Sequence, residues 1–299
     1  MIKHWLQAAR LRTLPLSVSG IIVGSAVAAH QGFFNLWVFI GCLFTTIGLQ
    51  VLSNFANDYG DGIKGTDNED RIGPERALQS GVISAVAMKK AIIITSVVTF
   101  VFALLLIFAA FGKDNFGYAL FFVVLGVSAI AAAIKYTVGK SAYGYKGMGD
   151  LFVFLFFGLV SVMGSYFLYA HKINHLLWLP AVSVGLLSAG VLNLNNMRDR
   201  ESDQKAGKNT LVVSMGGDKA KKYHQFLLVT AMLCMIIYTA LSNPQLSHWI
   251  YIVSFAPVIK HLRFVQENKE LVLLDPELKK LALGTFFMCV LFSLGLLIW

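Results

Sequence analysis

Charge is scarce in this chain. Asp, Glu, Lys and Arg make up 14% of its 299 residues and apolar residues 57%, whereas a soluble domain carries about 25% charge. The same numbers exclude a disordered chain, because there is ample apolar surface to bury. Alternating polar–apolar runs are missing, which excludes a membrane β-barrel. Low-complexity tracts are missing too. The three cysteines, Cys42, Cys234 and Cys289, lie inside apolar segments with no CxxC spacing, so they read as inert core residues. The seven histidines are scattered, which argues against a zinc site. No GxxxxGK[ST] motif occurs, so a P-loop nucleotidase is excluded.

What the chain does have is long apolar runs. Nine stand out, at about 14–29, 36–55, 91–111, 117–134, 151–170, 176–194, 226–241, 249–264 and 281–299. Most approach the ~20 residues that cross a bilayer core. The expected fold class is therefore all-α, a polytopic membrane protein. With the N-terminus cytoplasmic, all of the 25 Lys and Arg except Lys113 and Lys172 fall on one side, a strong positive-inside bias. The net charge of +9 is then a matter of topology and of contact with anionic membrane lipid. Nucleic acid is not an expected partner, since no soluble basic domain exists to carry it. The first apolar run passes through Ala26, Val27 and Ala28, which mimic a signal-peptide cleavage site. The long positive flank and the spans that follow argue for a retained helix.

Two polar loops break the pattern, and both lie on the predicted cytoplasmic face. One, "LSNFANDYGDGIKGTDNEDR", follows the second run; the other, "NLNNMRDRESDQKAGKNTL", follows the sixth. Each opens with asparagines at the end of a span and continues into spaced aspartates. They stand four spans apart, as in a duplicated four-helix unit. Two such units plus a final helix give nine spans in a single domain covering residues 1–299. On a helix continuing past Phe55, Asn54, Asn57, Asp58 and Asp61 share one face. Asn195, Asp199 and Asp203 recur at i, i+4 and i+8, again on one face. Carboxylates one turn apart repel unless something cationic lies between them. Near a bilayer each Asp is expensive, at about 2.5–3.5 kcal/mol at the helix centre.

A hard divalent cation is the natural partner. Magnesium takes one or two carboxylates and fills its shell with water and phosphate oxygens. Lys64, Arg71 and Arg76 are interleaved with the first set, and Arg198, Lys205 and Lys208 with the second. Carboxylates, metal and basic side chains together are what a diphosphate requires. The plain alternative is a pair of solvated charge runs, against which stand the matched spacing and the preceding asparagines of both loops.

These motifs resemble those of the UbiA superfamily of intramembrane prenyltransferases. The strings "ARLRTLPLSVSGIIVGSA", "SNFANDYGDGIKGTDNEDRIGPERA", "YTVGKSAYGYKGMGD", "VMGSYFLYAH" and "LNLNNMRDRESDQKAGKNTLVV" occur in order from residue 9 to 213. "RIGPERA" and "GYKGMGD" narrow the resemblance to the branch acting on 1,4-dihydroxy-2-naphthoate. The resemblance implies nine helices around a central cavity with a cytoplasmic cap, in a bacterial inner membrane. It implies transfer of a polyprenyl group from polyprenyl diphosphate to an aromatic acid, here the naphthoate, with loss of CO2 to give demethylmenaquinone. It implies magnesium as cofactor, held by Asn57, Asp58, Asp61, Asp199 and Asp203, the four aspartates being catalytic. Asn54, Arg12, Asp67, Arg71, Tyr136, Lys140, Asp150, Asn195 and Lys208 are the residues implied to contact substrate. Another branch has an aspartate where this chain has Gly65, which makes Asp67 a less direct match.

Several of these residues have plainer readings. Tyr136 suits an interfacial aromatic belt, Lys140 a positive-inside loop, and Asp150 a helix N-terminus. A prenyltransferase for 4-hydroxybenzoate, an ion-coupled transporter and a non-catalytic lipid-binding protein are the competing functions.

Overall fold

The computed structural model describes residues 1–68 and 72–298. Arg71, one of the expected substrate contacts, lies outside the described residues. The described chain is helical throughout, with no strand. A short helix α1 (Ile2–Ala9) leads through a 3-10 turn into α2 (Leu14–His30). The long helices α3 (Leu36–Lys64), α4 (Ala85–Phe111) and α5 (Phe116–Lys135) follow. Then come α6 (Gly149–Ala170) and α7 (Trp178–Arg198). Two short helices, α8 (Arg200–Lys205) and α9 (Leu211–Met215), fold over one end and precede α10 (Gly217–Leu241). A 3-10 stretch, Leu246–Ser254, runs into α11 (Phe255–Glu267), and α12 (Leu274–Leu297) closes the bundle.

Among the described residues, eight helices are long and apolar enough to cross a membrane. The chain is an integral membrane protein. The element expected over 249–264 differs from the other eight. It is half 3-10 and half α, so no single apolar α-helix of spanning length forms there. Ala26, Val27 and Ala28 are all buried inside the bundle.

Without a hydrophobic force between helices in lipid, close approach depends on small side chains. The α2–α6 crossing shows this. A Cβ on Gly20 would fall 2.3 Å from the Ser161 hydroxyl, and one on Gly24 would fall 2.1 Å from that of Ser165. In the middle of α6, Phe154–Gly164 is wound as a π-helix, a form usually confined to single turns and frequent at functional sites. That stretch sends Phe156, Phe157 and Val160 into the central cavity.

Backbone conformation decides where α3 stops. The apolar run ends near Phe55, but the helix continues for more than two further turns to Lys64. Gly65 (φ 72°) then takes the left-handed conformation that ends it, and the Thr66 amide bonds back to the Asp61 carbonyl at 3.0 Å. The whole first motif therefore rides on rigid helix. The second does so less regularly. Helix α7 ends at Arg198, yet the Asp199 amide still bonds the Asn195 carbonyl (3.0 Å) and the Asp203 amide that of Asp199 (2.8 Å). The i, i+4, i+8 face survives the change of helix. A small apolar cluster of Leu194, Met197, Val212, Ala220, Val265 and Leu274 holds the short helices of the cap in place.

Candidate active site

A cavity of about 430 Å³ runs into the bundle between α2, α3, α6 and α7. Its inner wall is apolar and aromatic, with Leu106, Ile107, Phe122, Phe152 and Leu168 among its members. Its outer end is polar, and there both aspartate motifs meet. Asn54, Asn57 and Asp61 line it from α3, and Asn195, Asp199 and Asp203 from α7 and α8. Arg12, Asp67, Tyr136 and Lys208 join them. Two acidic patches distant in sequence thus line one space.

Each carboxylate is held by a cation. Lys208 is buried, and its Nζ lies 3.3 Å from Asp61 Oδ2 and 3.7 Å from Asp203 Oδ1. Burial pulls the lysine toward neutrality, but Asp61 and Asp203 outweigh it and raise its pKa well above the usual value. The other oxygen of Asp61, Oδ1, accepts the Tyr145 hydroxyl at 2.7 Å. Having spent its one proton there, Tyr145 accepts in turn from Thr66 (2.6 Å). The Lys64 ammonium sits over the Tyr145 ring, 3.8 Å from its centroid, and donates to the Thr137 carbonyl at 2.7 Å. Burial raises the Tyr145 phenol, with Asp61 adding to the effect, and burial also pushes Tyr136 up to about 12. Both phenols stay protonated at any working pH.

Asp58 behaves differently from Asp61. It is 1% exposed and lies behind the cavity wall, paired with Arg10 and with Arg76 Nε at 3.7 Å. Arg76 also faces Asp67 at 3.9 Å. Asp58 therefore meets the cavity through two arginines that line it. Asp199 accepts a two-pronged bond from Arg198, Nε to Oδ1 at 2.8 Å and Nη2 to Oδ2 at 2.6 Å.

Other expected residues are placed less centrally. Asn54 lines the cavity, but its amide is spent on the Ala9 carbonyl (2.8 Å) and Thr13 (3.3 Å), which ties α1 to α3. Lys140 is exposed on the α5–α6 connection and does not line the cavity. Asp150 is buried at the start of α6, where it bonds Tyr223 of α10 rather than facing the cavity. Lys140 thus sits on a loop and Asp150 in the first turn of a helix. Arg198 is 1% exposed and turned into protein, so it serves carboxylates rather than a phosphate. The sequence reading did not include Tyr145 or Asp275. "GYKGMGD" drew attention to Tyr145's neighbourhood, but nothing in the sequence marked Asp275.

The donor set suits a hard cation, since Asn57, Asp61, Asn195, Asp199 and Asp203 offer oxygen or amide groups only. Among the described residues no three His, Cys, Asp or Glu side chains converge on one point. Such a sparse set of carboxylates makes no closed cage among the described residues. It fits magnesium, which needs one or two carboxylates and takes its remaining ligands from phosphate and water. The ammonium between Asp61 and Asp203 shows that the pocket accommodates positive charge.

A sequence model described as the UbiA prenyltransferase family matches residues 17–271. The chain belongs to that family. A Haemophilus influenzae protein named 1,4-dihydroxy-2-naphthoate octaprenyltransferase is 44% identical, over 99% of this chain and 96% of its own length. The UbiA fold is also evident in solved structures. The apo structure of a UbiA homolog from Aeropyrum pernix K1 superposes with a TM-score of 0.71 at 16% identity, covering 97% of this chain and 98% of that one. A UbiA homolog from Archaeoglobus fulgidus, solved bound to DMAPP and Mg2+, gives 0.61 at 16% identity over 97% and 99%. At such identities the likeness speaks for the fold.

Proposed function

We propose that this protein transfers a polyprenyl group from polyprenyl diphosphate to 1,4-dihydroxy-2-naphthoate in the bacterial inner membrane, with the polar end of its cavity facing the cytoplasm. The observation that carries the reading is the convergence of Asp61 and Asp203, from motifs far apart in the chain, on the single ammonium of Lys208. The 44% identity to a relative of that name supplies the acceptor.

The diphosphate lies at the polar end, between α3 and the α7–α8 junction. Asn57, Asp61, Asn195, Asp199 and Asp203 would hold magnesium there, which when bound offsets charge on the departing oxygens. Lys208, Arg10 and Arg76 supply fixed positive charge to the same oxygens, aimed where negative charge grows as the C–O bond breaks. The leaving electron pair departs with the diphosphate. The allylic cation that remains faces Phe152, Phe156 and Phe157 in a wall from which water is excluded. A carbon of the electron-rich naphthoate ring then bonds to it, and the carboxylate leaves as CO2, its bonding pair returning to the ring. No oxidant enters, so the product is demethylmenaquinone in its quinol form. The apolar depth of the cavity takes the prenyl chain.

Purified protein incubated with magnesium, a polyprenyl diphosphate and a panel of aromatic acids, read by mass spectrometry, tests this. The expected product is lighter than the simple adduct by one CO2. Prenylation of 4-hydroxybenzoate alone would move the protein to another branch. Ion flux into liposomes without any prenylated product would make it a transporter.

A further inference from the structure

Helix α12 carries no sequence motif, yet it reaches the second aspartate motif. Arg198 Nη1 donates to Asp275 Oδ1 at 2.5 Å while the same guanidinium holds Asp199 through Nε and Nη2 and bonds Asn195 Oδ1 at 2.9 Å. All three guanidinium nitrogens are thereby used, on a side chain that is 1% exposed. We infer that Asp275 is a positioning residue that keeps Asp199 competent to hold a divalent cation, acting through Arg198. The inference rests on the reading of this cavity as a metal–diphosphate site.

Charge gives the reason. A carboxylate gripped side-on by a buried guanidinium is neutralised as a pair, and a neutral pair attracts a cation weakly. A carboxylate has about four lone-pair directions, and the two-pronged bond uses two. Asp199 lines the cavity, and its pull on a cation there depends on how much of the arginine's charge is directed elsewhere. Asp275 draws on that charge from the other side. Asp199, Arg198 and Asp275 together carry a net charge of −1 in place of zero. The arrangement also fixes the plane of the Asp199 carboxylate, because the fork of Arg198 is itself held at its far end. Asp275 is about one-third exposed, so its replacement leaves no cavity in the core.

Removing an outer partner of a metal ligand typically costs about 10–100-fold in metal affinity. Asp275→Asn keeps the acceptor oxygen and the shape but deletes the charge. The full chain in detergent is titrated with Mn2+ in the presence of inorganic pyrophosphate, and binding is followed by electron paramagnetic resonance. Asp275→Asn should weaken binding by about ten-fold or more, with Asp275→Glu recovering part of the loss and the melting temperature staying close to the parent's. In turnover, half-saturation should rise for magnesium and for the polyprenyl diphosphate, and stay unchanged for the aromatic acid. In an Arg198→Gln background, Asp275→Asn should cost nothing further. Unchanged Mn2+ affinity in Asp275→Asn overturns the inference, as does an equal loss with and without Arg198, which would make Asp275 a direct ligand. The Mn2+ arm needs no aromatic acceptor, so a wrong acceptor assignment leaves this test intact.

Discussion

Lys208 and Asp61 stand 147 positions apart in sequence and 3.3 Å apart in space. Their contact joins the two halves of the site, since the same ammonium also faces Asp203. Lys208→Met would remove the ammonium that faces both the half-buried Asp61 and the buried Asp203. Breaking a buried pair on one side costs about 3–5 kcal/mol. The variant should therefore melt several degrees lower in chelator and recover much of that loss in millimolar magnesium. Thermal unfolding with and without chelator checks this; a melting temperature indifferent to magnesium would contradict the shared-cation picture.

Neutralising the motif aspartates should end turnover without ending insertion. Asp61→Asn, Asp199→Asn and Asp203→Asn should each lower kcat by about 100-fold or more, the scale of losing an electrostatic contact to the transition state. Excess chelator should do the same to the parent protein. Asp58→Asn should match them for a different reason, because it releases Arg10 and Arg76 from their fixed positions. Radiolabelled prenyl transfer in membranes of matched protein content is the measurement, and near-parental rates in Asp61→Asn would remove the metal assignment.

Tyr145 supports Asp61 through the oxygen that Lys208 does not face. Tyr145→Phe deletes a hydrogen bond to an ionised group, worth about 1.5–3 kcal/mol. Turnover should fall by about ten-fold, with the half-saturating magnesium concentration raised.

The pH profile follows from the same contacts. Lys208 has a raised pKa in the folded protein, so its stabilisation is complete below the ordinary lysine value of about 10.4. It is lost only as pH rises through the higher folded value. Tyr136 at about 12 stays neutral over the same range. Stability should be flat from about pH 7 to 9 on account of these groups. A transition near neutral pH that disappears in Lys208→Met would show the lysine titrating far below this expectation.

Placement separates two basic residues that the sequence alone does not. Lys140→Ala should leave activity within about two-fold, because the side chain is exposed and outside the cavity, where surface changes have small effects. Arg10→Ala should cost far more, since it removes the nearer of the two arginines that face the buried Asp58. Parallel kinetics on the two variants decide the matter.

Periodicity and apolar length made the all-helical membrane class legible, and the spacing of Asn54, Asn57, Asp58 and Asp61 made their common helix legible. Which of these faces inward was not, because Asp58 and Asp61 differ by three positions and so by a rotation of about 60° on a helix. That rotation puts one against Arg10 and the other against the cavity. Arg10 itself adopts a left-handed conformation (φ 52°) between α1 and the turn that follows. A single such residue resets the phase of the chain, so counting along "ARLRT" could not tell Arg10 from Arg12. Lys140 sits in an irregular connection and Asp150 in the first turn of α6, so neither has a preceding helical period from which to count its facing. Asp275 was invisible for another reason: its partner is 77 residues away, and nothing local betrays it.

The left-handed stop at Gly65 insulates the first motif from what comes after it. Because α3 ends there by backbone geometry, insertions or deletions between Thr66 and Ser84 transmit no twist to Asp61. Arg76 lies within that span, so a change of length there would shift the guanidinium that faces Asp58 while the pitch of α3 holds.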